Sequence, residues 1–208
     1  MFTLHKHIAR AGMVLAVAAA AGCSTTPTYP PAPASTGGYE WNYLIGPGDS
    51  VNVFVWRNPE VSGNFPVRPD GKMTMNLVED IQASGKTPSQ LARDIEKTLA
   101  KYIQEPIVTV IVAGGIGPFD QQLRVVGEAA KPQALNYREK MSLIDLMIAV
   151  GGLTDFAAGN KAYILRTSGD GQQTRLGVRL DDLLKGGDIS ANVDMRPGDV
   201  LVVPESLF

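Results

Sequence analysis

Cys23 is the one thiol in 208 residues, so the chain has neither an intramolecular disulfide nor a cysteine-based zinc site. The two histidines, His5 and His7, both stand in the first ten residues. Cleavage behind residue 22 leaves no imidazole, which removes His acid–base catalysis, Ser-His-Asp and Cys-His triads and His metal sites. The carboxylate pairs Glu79-Asp80 and Asp181-Asp182 are adjacent in sequence. Such neighbours do not face one substrate together, as a two-carboxylate glycosidase site requires. The run Gly114-Gly115-Ile116-Gly117 lacks the G-x-G-x-x-G spacing and the Lys-Ser/Thr of a phosphate-binding loop. Two sets remain for binding. Trp41, Tyr43, Phe54, Trp56 and Phe119 offer flat faces that stack on pyranose C–H faces, with core or interface packing as the simpler account. Arg57, Arg68, Lys72, Arg166, Arg175 and Arg179 could line a passage for an acidic polymer, with plain solvated surface as the simpler account. The residues thus predict no catalytic group, no metal and no cofactor.

What precedes Cys23 gives it a chemistry. Residues 1–10 carry Lys6 and Arg10 and no acid, and residues 11–22 are uncharged and mostly apolar. A basic start followed by a short apolar run reads as a secretory signal peptide. A helix over residues 11–22 would rise only about 18 Å, short of a hydrocarbon core of about 30 Å, so no permanent transmembrane anchor is expected there. The run ends Ala20-Ala21-Gly22-Cys23-Ser24. Small residues before a lone cysteine resemble a bacterial lipobox, with Ala20 where that pattern prefers Leu. The resemblance implies acylation of Cys23 and cleavage on its N-terminal side. Several acyl chains anchor stably, at roughly 0.8 kcal/mol per buried CH2. Ser24, in place of the Asp that marks inner-membrane retention, implies the outer membrane. Residues 24–38 then hold four prolines and no charge. Such a segment is an extended spacer with a reach of up to about 45 Å.

The elements that must position the remaining candidates are short. Twenty-two glycines and 14 prolines suit many strands and turns better than a helical bundle. A net charge of −2 gives no basic footprint, so no nucleic-acid partner is expected. Val51, Val53 and Val55 alternate, which argues a strand, with Phe54 and Trp56 on its other face, a pattern that allows cover on both faces. Phe65–Arg68 and Met73–Leu77 flank Pro69-Asp70-Gly71-Lys72 and predict a hairpin. Thr87-Pro88-Ser89-Gln90 opens a helix whose stripe is Leu91, Ile95 and Leu99, with Tyr102 and Ile103, and residues 107–112 form a buried-type strand. In the second half, strands are expected from Leu123, at Ala134, over Lys161–Thr167, over Gln173–Leu180 and over Val200–Val203. Ser142, with Asp145, caps a helix that Gly151-Gly152 end, and residues 181–185 make a short helical turn. Pro47-Gly48-Asp49 and Pro197-Gly198-Asp199 are matching turns, each leading into a strand. Their aspartates serve turn closure, not catalysis.

The runs YLIGPGDSVNVFVWRNPE, PVRPDGKMTMNLVEDIQASGKTPSQL and YIQEPIVTVIV resemble the polysaccharide biosynthesis/export domain of bacterial outer-membrane lipoproteins, the Wza-like OPX family. VVGEAAKPQ, SLIDLMIAVGGLTDFA, KAYILR and RPGDVLVVPE resemble the soluble-ligand-binding β-grasp (SLBB) domain. The expected fold class is α+β: a small export (PES-type) α+β domain followed by a β-grasp SLBB domain. The expected divisions are a signal peptide over 1–22, a Pro-rich linker over 23–40, the export domain over 41–113, a Gly-rich hinge over 114–121 and the SLBB domain over 122–208. The resemblance implies a lipoprotein, lipid-anchored at Cys23 and facing the periplasm, that passes capsule or exopolysaccharide across the outer membrane. Its implied partners are the polysaccharide, further copies in a homo-oligomeric ring, and an inner-membrane polysaccharide co-polymerase, often coupled to a tyrosine autokinase. Channel members of the Wza type cross the membrane with a C-terminal helix. Only five residues follow Val203 here, so a separate β-barrel porin is expected. A glycan-binding or sensing lipoprotein without a conduit is the alternative. A polysaccharide-modifying enzyme is disfavoured by the missing acid–base pair.

Overall fold

Alternation along Ser50–Val55 (β1) buries Val51, Val53 and Val55 and turns Asn52 and Phe54 outward. The computed structural model describes residues 29–33 and 41–206. Cys23, the signal segment and most of the linker lie outside the described residues. β1 is the middle of a three-stranded antiparallel sheet, between Gly63–Pro66 (β2) and Val108–Ala113 (β5). Its register sets Val53 opposite Val110 and Val55 opposite Val108, which stacks β-branched side chains on the inner face. Against that face lies the helix Pro88–Leu99 (α1), burying Leu91, Ala92, Ile95 and Leu99; it ends short of the expected stripe, with Ile103 packed at the core's margin and Tyr102 exposed. Thr87 Oγ1 accepts from the Gln90 amide at 3.2 Å, and Gln90 Oε1 accepts from the Thr87 amide at 2.9 Å, so the expected capping box is formed. Glu96 accepts from the Val108 amide at 2.9 Å and fastens the helix to β5.

The predicted hairpin across Asp70-Gly71 is corrected. The turn closes, with the Gly71 amide donating to Arg68 O and the Arg68 amide to Lys72 O. Its flanking strands, however, pair elsewhere. β2 pairs with β1, and Lys72–Met75 (β3) pairs with Val78–Gln82 (β4) across a turn at Asn76 and Leu77. Burial decides this: Met73, Met75 and Val78 all face the core from the β3–β4 ribbon.

The second core is enclosed by a mixed five-stranded sheet. Its strands are Leu123–Gly127 (β6), Ala134–Leu135 (β7), Tyr163–Thr167 (β8), Gln173–Gly177 (β9) and Val200–Val203 (β10). Their order is β7-β6-β10-β8-β9, with β10 parallel to β6 and antiparallel to β8. The helix Leu143–Ala149 (α2) presses Leu143, Leu146 and Met147 onto this core. Asp145 Oδ2 accepts from both the Ser142 amide and the Ser142 hydroxyl, so the carboxylate, which these bonds hold below its usual pKa, caps the helix start. β9 is shorter than predicted: it ends at Gly177 because Leu180–Leu184 (α3) turns Leu180 and Leu183 inward. Helices and sheets together form an α+β fold. Among the described residues, no helix is long and apolar enough to cross a membrane.

The spacer expectation is also corrected in part. Pro31 bridges Gly177 in parallel, with the Gly177 amide donating to Pro30 O at 2.8 Å and the Ala32 amide to Gly177 O at 3.0 Å. Residues 29–33 thus lie along the outer edge of β9 and are not free span.

Truncating Ile95, fully buried in the first core on the inner side of α1, should cost about 2 to 5 kcal/mol in urea unfolding of Ile95→Ala.

Candidate functional site

The two Pro-Gly-Asp turns carry the buried acids of the described residues, Asp49 and Asp199. A buried carboxylate needs donors on its lone pairs, and each site supplies them differently. In both, the acid first closes its own turn, since Asp49 accepts from the Gly46 amide at 2.8 Å and Asp199 from the Arg196 amide at 2.7 Å. Gly48 and Gly198 hold φ values of 89° and 84°, which the turns require and a side chain would strain.

Beyond its turn, Asp49 reaches across the chain. Its Oδ1 accepts from the Ile116 and Gly117 amides at 2.6 and 3.0 Å, and its Oδ2 accepts from the Tyr43 hydroxyl. Burial above all, and then the bond to Asp49, push the Tyr43 phenol well above its ordinary pKa, so it stays a neutral donor. The backbone of 114–117, expected as a hinge, is therefore tied to the turn that begins β1. Gly46 makes this approach possible: a Cβ there would stand 2.1 Å from Gly117 carbonyl atoms. The contact continues into the second unit. Trp41 packs edge-on against Tyr43 and Tyr137, with centroids 5.9 and 5.2 Å away, and donates to Gln121 at 3.3 Å. Asn136 donates to Gly115 O. The cleft between these rings is about 30 Å³, room for one water and not for a sugar. Trp41 and Tyr43 are therefore packing residues.

Phe54 and Trp56 are not. They stand half exposed, 6.3 Å apart and edge to face, on the outer side of the β2-β1-β5 sheet beside Ile107 and Ile111. The covering that the sequence allows for this face does not come from the described residues. Phe119 is exposed too, with the Arg124 guanidinium 4.3 Å above its ring.

The six candidate cations are dispersed. Arg166 is part-buried and held on Asp199, donating from Nε at 2.9 Å and from Nη2 at 2.7 Å, so its guanidinium is committed to that acid and not to a passage. Arg68 bridges Asp70 and Asp80, and its bond holds the Asp70 carboxyl down at about 2. Arg179 pairs with Asp182 and Asp188, and Arg175 stacks on Tyr29 and Tyr163. Among the described residues, Arg57 and Lys72 make no ion pair. The adjacent carboxylates serve structure: Asp80 meets Arg68, and Asp181 and Asp182 bind Asn160 at the start of α3. Among the described residues, no three metal-ligating side chains cluster.

Sequence reasoning did not single out an open groove of about 410 Å³ between β7 and α2, lined by Leu135, Asn136, Arg138, Met141 and Ile148. Its lining falls within residues 135–149 but passes from a strand through a loop to a helix, so no single periodicity marks it.

Comparison with known proteins follows this division. The polysaccharide biosynthesis/export protein family matches residues 38–113, and the SLBB domain matches residues 122–185. The chain is 26% identical over 188 residues to the EPS I polysaccharide export outer membrane protein EpsA of Ralstonia nicotianae, covering 78% of this chain and 47% of that protein. It is 24% identical over 169 residues to the polysialic acid transport protein KpsD of Escherichia coli, covering 81% of this chain and 29% of that protein. It is 27% identical over 184 residues to the exopolysaccharide production protein ExoF of Rhizobium meliloti, covering 79% and 41%. The chain thus spans less than half the length of these curated relatives.

Replacing Asp199 with Asn removes the buried charge that satisfies the part-buried Arg166. The expected loss is about 3 to 5 kcal/mol in denaturant unfolding, with Arg166→Met/Asp199→Leu recovering part of it.

Proposed function

The chain belongs to the polysaccharide export family, and from that premise we propose that it is a non-enzymatic component of capsule or exopolysaccharide export at the outer membrane. The observation that carries this reading is the export domain followed in order by the SLBB domain, an arrangement along which proteins named for export, transport and production of polysaccharide align. Acylated Cys23 holds the protein on the membrane, facing the periplasm. Copies assemble into a ring or collar, which receives polymer from an inner-membrane co-polymerase with its tyrosine autokinase and delivers it to a β-barrel porin.

The exposed Phe54–Trp56 face supports the ring. An apolar strip of that kind, with Ile107 and Ile111, is what a neighbouring copy can cover. A glycan-binding role without a conduit is the second reading, favoured by the groove beside α2, whose size suits one or two sugar residues. A stable monomer with measurable oligosaccharide affinity would decide for it.

Deleting the gene should abolish surface polysaccharide and load the periplasm with polymer, assayed separately, and Cys23→Ala should reproduce the defect. Normal surface polymer in the deletion strain overturns the export reading. Trp56→Glu should lower the oligomer mass measured by light scattering in detergent while the circular dichroism and melting curve stay those of the parent.

A further inference from the structure

The docked tether has a geometric consequence that export itself does not require. Residues 29–33 meet β9 through two backbone hydrogen bonds and through side-chain contacts as well. The Tyr29 ring lies 4.8 Å from that of Tyr163, and the Arg175 guanidinium stands 5.6 Å from both. Arg175 also donates to the Tyr29 hydroxyl at 3.1 Å. Both polar groups of Gly177 point away from β8 and are spent on Pro30 and Ala32, so the tether caps the open edge of the sheet at the Gly177 end of β9.

The pairing is parallel, which fixes direction. Followed back toward its N-terminus, the tether runs toward the Gln173 end of β9, where the exposed turn 168–172 joins β8 to β9. From Tyr29 back to Cys23 there are six residue steps, whose fully extended reach is about 20 Å. That is under half the span of the whole Pro-rich segment.

We propose that residues 29–33 are a clamp that shortens the membrane tether to residues 23–28, and that the β8–β9 turn around Asp170 is the part of the second unit that faces the lipid surface. The placement rests on Cys23 being the lipid anchor; the clamp does not. Anchored this way, the second unit cannot swing freely on a long leash. Its β9 edge is held close to the headgroups, with the turn foremost.

Two measurements separate the parts. In the unacylated chain from residue 24 onward, Gly177 amide exchange followed by NMR should be about tenfold slower than in Tyr29→Ala/Arg175→Ala, a change at the periphery that spares both cores. Equal exchange overturns the clamp. For the placement, the acylated full chain is put into nanodiscs of phosphatidylethanolamine and phosphatidylglycerol. A fluorophore is attached at Asp170→Cys or, for comparison, at Lys101→Cys, exposed beyond α1. Energy transfer to a headgroup dye should be stronger from position 170 than from 101, and the double variant should lose that difference. Equal transfer from the two positions in the parent overturns the membrane-facing turn. Mass spectrometry showing no acyl chain on Cys23 overturns the anchor reading and the placement with it, while the Gly177 exchange still decides the clamp.

Discussion

Asp49 is the interaction on which the arrangement of the first unit and its exit depends. A carboxylate without solvent costs several kcal/mol unless its lone pairs are filled. Here they are filled by the Gly46, Ile116 and Gly117 amides and the Tyr43 hydroxyl. Those donors come from the strand's own turn, from the segment before it and from the chain after β5. One acid thus gathers the start and the end of the first unit at the point where the second begins. The Trp41–Tyr43–Tyr137 ring contacts then continue the same junction into the second core.

The second Pro-Gly-Asp turn shows how one local device serves two purposes. Both acids accept from the amide three residues earlier, a bond set by the turn alone. Their second partners differ because their surroundings differ. Asp49 looks toward the backbone of residues 116 and 117, where two neutral peptide amides suffice. Asp199 looks under β8, where Arg166 brings a full charge and also donates to Asp194 O. The first site binds two parts of the chain, and the second stiffens one sheet.

What was legible in the sequence was what is decided within a few residues. Thr87-Pro88-Ser89-Gln90 and Ser142 with Asp145 set their helix starts through bonds no more than three residues long, so reading them needs no knowledge of the fold. The order of the two units was legible through family resemblance. Strand partners were less so. The Asp70-Gly71 turn forms as its residues demand, yet β2 and β3 part company because Met73 and Met75 gain more by facing the core from a ribbon with β4. Arg166 looked like any other surface cation, since its partner stands 33 positions away. Alternation placed Phe54 and Trp56 opposite the buried valines but carried no information on whether anything covers them. The docking of 29–33 was hidden for a related reason: a proline-rich stretch has the extended shape of a spacer and of an added strand alike.

The position of β10 bears on how the protein comes into being. This strand, the last in sequence among the described elements, lies in the interior of its sheet, between β6 and β8. The parallel β6–β10 pairing joins residues 76 positions apart, such as Leu201 with Val125. The first unit has no such debt, since β5 closes its sheet by Ala113. A chain delivered N-terminus first through a narrow channel can therefore shape its first unit early. Its second unit stays an unclosed set of strands, β6–β7 on one side and β8–β9 on the other, until the final segment emerges and zips them together. Closure of the second sheet therefore waits on residues 200–203, whichever of its other strands have already paired.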